Sequence, residues 1–215
     1  STIENPIKPA LISAVDMKTE AEFIAQKILE LTEEENLSLN DICVLARSAR
    51  MTYNLEIELS KKSIPFKKFG GMKFIEAAHI KDIIAHLRVI MNPSDVISYT
   101  RILLLLDGIG SQTANKLLPV LTENIELHNK KLPVKNPEAV IKLTQLINNS
   151  QKDIFAPSKI VQSVLNYYEP ILKDKYDDWS VREKDLEHFS YLSTKYKSLD
   201  SFLSDLALEP PEATV

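Results

Sequence analysis

Only four of the 215 residues are glycine, and two of them fall in one pentapeptide, Asp107-Gly108-Ile109-Gly110-Ser111. A chain this poor in glycine has few places where its backbone can reverse sharply, so these two positions mark a tight turn. The turn follows an apolar helical end, Leu103 to Leu106, and opens a stretch with Ala114, Leu117 and Leu118 at helical spacing. Ser111 suits the cap of that helix. Ile109 then plugs the core while the amides around Gly108 and Gly110 face outward, where they can hold a phosphate. Thr113 and Lys116, three residues apart, add a hydroxyl and a charge to the same face. Contacts of this kind grip the sugar-phosphate backbone rather than reading bases. The same peptide also suits a bare connector between two helices.

Upstream of the turn, apolar runs alternate with helical patterns. Residues 9–15, 41–46 and 64–66 read as strands, the second apolar on both faces, as expected for a sheet covered on both sides. Helices are expected over 19–31 (Ala21, Ile24, Ala25, Ile28, Leu29), about 50–62 (Leu55, Leu59) and about 76–91 (Ile80, Ile83, Ile84, Leu87, Ile90). This alternation predicts an α/β layer whose three strands leave the sheet unfinished. Asn92-Pro93-Ser94-Asp95 stops the third helix and caps the next, which places a domain boundary there and divides the chain into 1–91 and 92–215. Beyond it no strand is expected. Prolines 119, 133, 137, 157 and 170 punctuate an all-helical domain, each expected at a first helical turn or between helices. Residues 209–212 read as a linker or frayed tail.

Charge and composition narrow the chemistry. Lys and Arg total 26 against 30 Asp and Glu, a net charge of -4, so any nucleic-acid contact must be local rather than a global basic field. One local cluster is Lys61, Lys62, Lys67, Lys68 and Lys73, interleaved with Phe66, Phe69 and Phe74 around the Gly70-Gly71 turn. Such a cluster can track a single strand by charge and stacking, and it equally suits a solvated rim over core phenylalanines. The single cysteine, Cys43, reads as a buried strand thiol in a reducing compartment. Histidines 79, 86, 128 and 188 lack metal-ligand spacing, and no serine stands in a nucleophile elbow. Neither GxxxxGK[ST] nor GxGxxG occurs, so no bound nucleotide or other cofactor is expected on this chain itself. No run approaches the roughly 20 apolar residues that cross a bilayer, and a cytoplasmic protein without a membrane partner is expected. The start at Ser1 without methionine suggests a piece of a longer chain.

Taken in order, Ile42-Cys43-Val44-Leu45-Ala46-Arg47-Ser48, Asn54-Leu55-Glu56, Ile64-Pro65-Phe66, Phe69-Gly70-Gly71-Met72-Lys73-Phe74, Ile80-Lys81-Asp82 and Gly108-Ile109-Gly110 resemble the UvrD, Rep and PcrA DNA helicases of superfamily one. The resemblance runs over roughly 9–118 and continues loosely to Ser201-Phe202-Leu203. It implies a fold made of the first part of the second RecA-like motor domain, an incomplete P-loop NTPase-type parallel sheet, followed by an inserted helical arm with a helix-hairpin-helix-like motif. It also implies part of an ATP-dependent helicase of DNA repair or replication, in which this piece grips DNA and couples domains while ATP and Mg²⁺ are handled elsewhere in the parent. By resemblance Gly108, Ile109, Gly110 and Thr113 would belong to the arm's duplex contact, and the reading of the turn adds Ser111 and Lys116 to it. The motor-side surface, facing a single strand, would hold Lys67, Lys68, Lys73 and Phe74. The remaining motor domains of the parent would be partners. A stand-alone DNA-binding or interaction module and a helicase-nuclease subunit are the alternatives. The chain departs from the family pattern at Thr52-Tyr53-Asn54, at Phe74-Ile75-Glu76-Ala77 and at His79. Arg47 is expected in a structural ion pair.

Overall fold

The computed structural model describes residues 9–69, 74–122, 132, 134 and 136–207, the side chains of residues 49 and 50 excepted. The chain divides into two compact units, Ser1–Gly71 with Leu208–Val215, and Met72–Ala207.

In the first unit, α1 (Met17–Glu33) starts where Asp16 accepts a hydrogen bond from the Thr19 amide at 2.8 Å. That bond satisfies one of the amides a helix start leaves open. Its inner face, Ala21, Ala25 and Ile28, packs against Leu55 and Leu59 of α2 (Tyr53–Lys61) and against Ile64. Small residues on α1 let the two helices approach closely. Tyr53 to Ser60 are all buried, Glu56 and Glu58 included.

The second unit is built around α3 (Ala78–Met91), where Ile80, Ile83, Leu87, Val89 and Ile90 are almost fully buried. A helix apolar over most of its circumference belongs at the centre of a bundle. Around it pack α4 (Val96–Leu103), α6 (Pro137–Ser150), α7 (Pro157–Lys175), α8 (Trp179–Ser193) and α9 (Leu199–Ala207). α5 (Ser111–Thr122) packs on α4. Tyr99, Tyr168, Phe74, Phe189 and Phe202 fill the space between. The units divide after Gly71, and α3, placed in the first domain by the sequence reading, makes its contacts with helices of the second unit. No helix among the described residues is long and apolar enough to cross a membrane.

The structure corrects the expected fold class. Among the described residues there is no strand, so the α/β class and its incomplete RecA-like parallel sheet are not what this chain forms. Residues 9–14, 42–46 and 64–69 carry neither helix nor ladder. A strand exists only through the neighbouring strand it bonds to, and these runs pair with none among the described residues. Leu11 and Val15 are each 97% exposed and Leu45 91%. Apolar content signalled burial there, which needs a partner the described residues do not supply. Cys43 is likewise exposed rather than a buried strand thiol. Pro137 and Pro157 open helices as expected, whereas Pro119 and Pro170 lie inside α5 and α7. Both stand in the later turns of their helices, where losing one backbone hydrogen bond leaves most of the helix undisturbed. Pro133, the Gly70-Gly71 turn and the tail at 209–212 lie outside the described residues.

Candidate nucleic-acid interface

The hairpin between α4 and α5 is held by a run of short-range bonds. Asp95 caps α4, accepting from the amide and hydroxyl of Ser98 at 3.0 and 2.7 Å. Beyond Leu103 the chain tightens, with the amides of Leu104, Leu105 and Leu106 donating to Thr100, Ile102 and Leu103, and that of Ile109 to Leu106 at 3.2 Å. Gly108 takes φ +74°, a left-handed conformation that side chains resist. This brings Ile109 back into the core at 7% exposure and leaves Gly108 and Gly110 in solvent.

The first bond of α5 runs from the Ala114 amide to the Gly110 carbonyl at 2.9 Å. Ser111 is therefore the first helical residue, not the cap. The amides of Gly110, Ser111, Gln112 and Thr113 have no acceptor among the described residues, and the first three residues are exposed. These are the open donors at the positive end of a helix. Lys116, one turn on, is exposed and makes no ion pair among the described residues. Asp107, also exposed, sets a negative charge beside the same turn. The face thus offers four main-chain donors, one cation and one carboxylate.

The other cluster is dispersed. Lys67 is exposed, its ammonium 5.5 Å from the ring centre of the 84%-exposed Phe69. Lys68 is committed internally: its Nζ lies 2.6 Å from Glu56 Oε1, which also accepts from the Thr52 hydroxyl at 2.6 Å, and both charged side chains are 10% exposed. Its charge serves the first unit's interior. Phe74 is a core residue of the second unit, 2% exposed and edge-on to His188 at 5.7 Å. Lys73 lies outside the described residues.

A buried polar group joins α3 to α4 and α7; the sequence reading quoted Asp82 and His79 only within the resemblance and gave them no partners. Asp82 of α3, with 1% of its side chain exposed, receives Arg101 Nε and Nη2, each 2.7 Å from Oδ1, and the Tyr168 hydroxyl at 2.6 Å on Oδ2. Burial, reinforced by this carboxylate, holds the Tyr168 hydroxyl protonated well above the ordinary phenol range. On the same stripe, His79 accepts from Arg182 Nη1 at 3.1 Å, and His86 Nδ1 lies 2.8 Å from the Asp82 carbonyl. The signal was available as spacing: His79, Asp82 and His86 recur at three and four residues among the apolar residues of one helix.

Gly108→Val is expected to cost about 1–3 kcal/mol, because the left-handed conformation strains a β-branched residue although no heavy atom lies within 4 Å of the new Cβ. Thermal denaturation checks this. A loss near zero would show that the turn relaxes out of its left-handed form.

The sequence matches the family described as UvrD-like helicase C-terminal domain over residues 1–203. ATP-dependent DNA helicase PcrA of Bacillus subtilis is 27% identical over 209 residues, covering 88% of this chain and 28% of the relative. DNA helicase II of Haemophilus influenzae is 27% identical over 226 residues, covering 94% of this chain and 31% of the relative. ATP-dependent DNA helicase UvrD1 of Mycobacterium tuberculosis is 42% identical over 84 residues, covering 39% of this chain and 11% of the relative. The chain thus spans less than a third of the length of each of these relatives.

Proposed function

Because the chain belongs to the UvrD-like helicase C-terminal domain family, we propose that it works as part of an ATP-dependent DNA helicase, contributing DNA contact and domain coupling rather than ATP hydrolysis. The supporting observation is the α4–α5 hairpin, a helix-hairpin-helix-like element with open amides at Gly110–Thr113, of which Gly110, Ser111 and Gln112 belong to exposed residues, and an exposed Lys116 one turn on. In this reading the amides and Lys116 meet duplex phosphates, Ile109 fixes the turn from within, and Ser111 and Thr113 add hydroxyls. A single strand would run along the first unit near Lys67 and Phe69, with Lys68 supporting that unit through Glu56.

Nucleotide chemistry belongs elsewhere in this reading. No group of three or more His, Cys, Asp or Glu among the described residues is placed to hold a metal ion, and the sequence has no glycine-rich phosphate loop. In this reading other parts of a longer protein would supply the Mg²⁺-ATP site.

A duplex titration over a range of salt tests the proposal. Among the described residues Lys116 is the one cation this face brings to a phosphate, so binding is expected to be weak, with a log–log salt slope of about −1 at roughly 0.9 per phosphate neutralised. Gly110→Val should weaken it by about three- to tenfold by crowding the approach to the amides. No heavy atom lies within 4 Å of a Cβ at Gly110, and its φ is not left-handed, so the fold should survive. Unchanged affinity in the folded variant would place the contact elsewhere, and ATP turnover by the pure chain would refute the assignment of hydrolysis.

A further inference from the structure

Arg101 occupies the last turn of α4, immediately before the hairpin. Besides its two contacts with Asp82 Oδ1, its Nη2 donates to the Ala78 carbonyl at 3.1 Å, so one guanidinium grips α3 at two points a turn apart. Most of the remaining burial of α4 is apolar, through Tyr99, Ile102 and Leu103. Apolar burial has no preferred direction and permits a helix to roll, whereas a planar guanidinium fork against a fixed carboxylate does not. Asp82 is fixed in turn from the far side by Tyr168. Beyond Arg101 the amides of Leu104, Leu105, Leu106 and Ile109 each bond back along the chain, tying the glycine turn to the end of α4.

We infer that Asp82, acting through Arg101, is a positioning residue for the duplex contact: it sets the rotation of α4 and with it the direction in which the α5 amides point. This rests on the reading that those amides meet DNA. Packing alone does not account for the arrangement, since 39% of the Arg101 side chain is exposed and its charge has water available.

The test uses the whole chain and a short fluorescein-labelled duplex of mixed sequence at low salt. Arg101→Lys keeps the charge but loses the fork, and is expected to weaken duplex binding by about three- to tenfold while leaving the salt slope unchanged. Val140→Ala, a buried change on α6, should lower stability without altering affinity. Wild-type affinity in Arg101→Lys, alongside weakened binding in Gly110→Val, overturns the positioning role and leaves the duplex reading intact. Wild-type affinity in folded Gly110→Val removes the duplex reading and the inference with it. Affinity lost equally in Val140→Ala would show a general stability effect and also overturn the inference. Should Arg101→Lys fail to fold, the isosteric Asp82→Asn carries the same comparison.

Discussion

Asp82→Ala is expected to destabilise the second unit by about 3 kcal/mol, more than truncation of most apolar core residues of similar size. The carboxylate is buried and serves two partners of different kinds. Without it the Tyr168 hydroxyl, in a fully buried residue, loses its charged acceptor and keeps only its contact with Tyr176, so it bears part of the desolvation penalty. Arg101 suffers less, because its guanidinium can turn toward water, which holds the loss at the lower end of the range for breaking a buried pair. Asp82→Asn should cost less, since an amide oxygen can still accept from Tyr168. The single tryptophan, Trp179 on α8, gives the unfolding of this unit its own fluorescence signal in a urea titration. A loss below about 1 kcal/mol for the alanine variant would mean that the carboxylate does not anchor the bundle.

Acid should weaken the same unit through His86. Its Nδ1 faces the Asp82 carbonyl, which can only accept, so Nδ1 carries the proton and Nε2 is the site left to titrate. Nε2 is buried with no hydrogen-bond partner among the described residues, between Tyr167 and Tyr168. Burial lowers the pKa to about 4 from 6.5, outweighing the backbone bond and the charge of Asp82, which raise it. Above pH 6.5 the ring is neutral folded and unfolded, and its contribution is fully present. As pH falls from 6.5 toward about 4 only the unfolded chain takes up the proton, so stability is lost across that window. At about 1.4 kcal/mol per pH unit the loss reaches about 3 kcal/mol by the lower end. His86→Leu should flatten this part of the pH–stability curve when the two proteins are unfolded side by side. An unchanged slope would show that other groups drive the acid sensitivity.

The residues differ in how openly the sequence announced them. The helices around Ala21–Ile28 and Ile80–Ile90 were legible because apolar side chains three and four apart must share a face. The hairpin was legible because scarce glycine marks where a backbone must turn left-handed, and Gly108 does so. Residues 9–15 and 42–46 misled because apolar content signals burial without naming a partner. Lys68 looked like a free cation, yet its partner Glu56 sits twelve residues earlier on another element. Asp82 meets Arg101 and Tyr168 across separations of 19 and 86 residues, which no local pattern encodes.

Local rules thus settled the helical spans, the turn and its plug at Ile109, since each depends on φ, ψ and neighbours within one turn of helix. Tertiary structure alone decided which apolar runs lack a ladder, which lysine is neutralised and which carboxylate locks α4 in place. Strand pairing and charge pairing both join groups distant along the chain, so their outcome is set by what packing brings together.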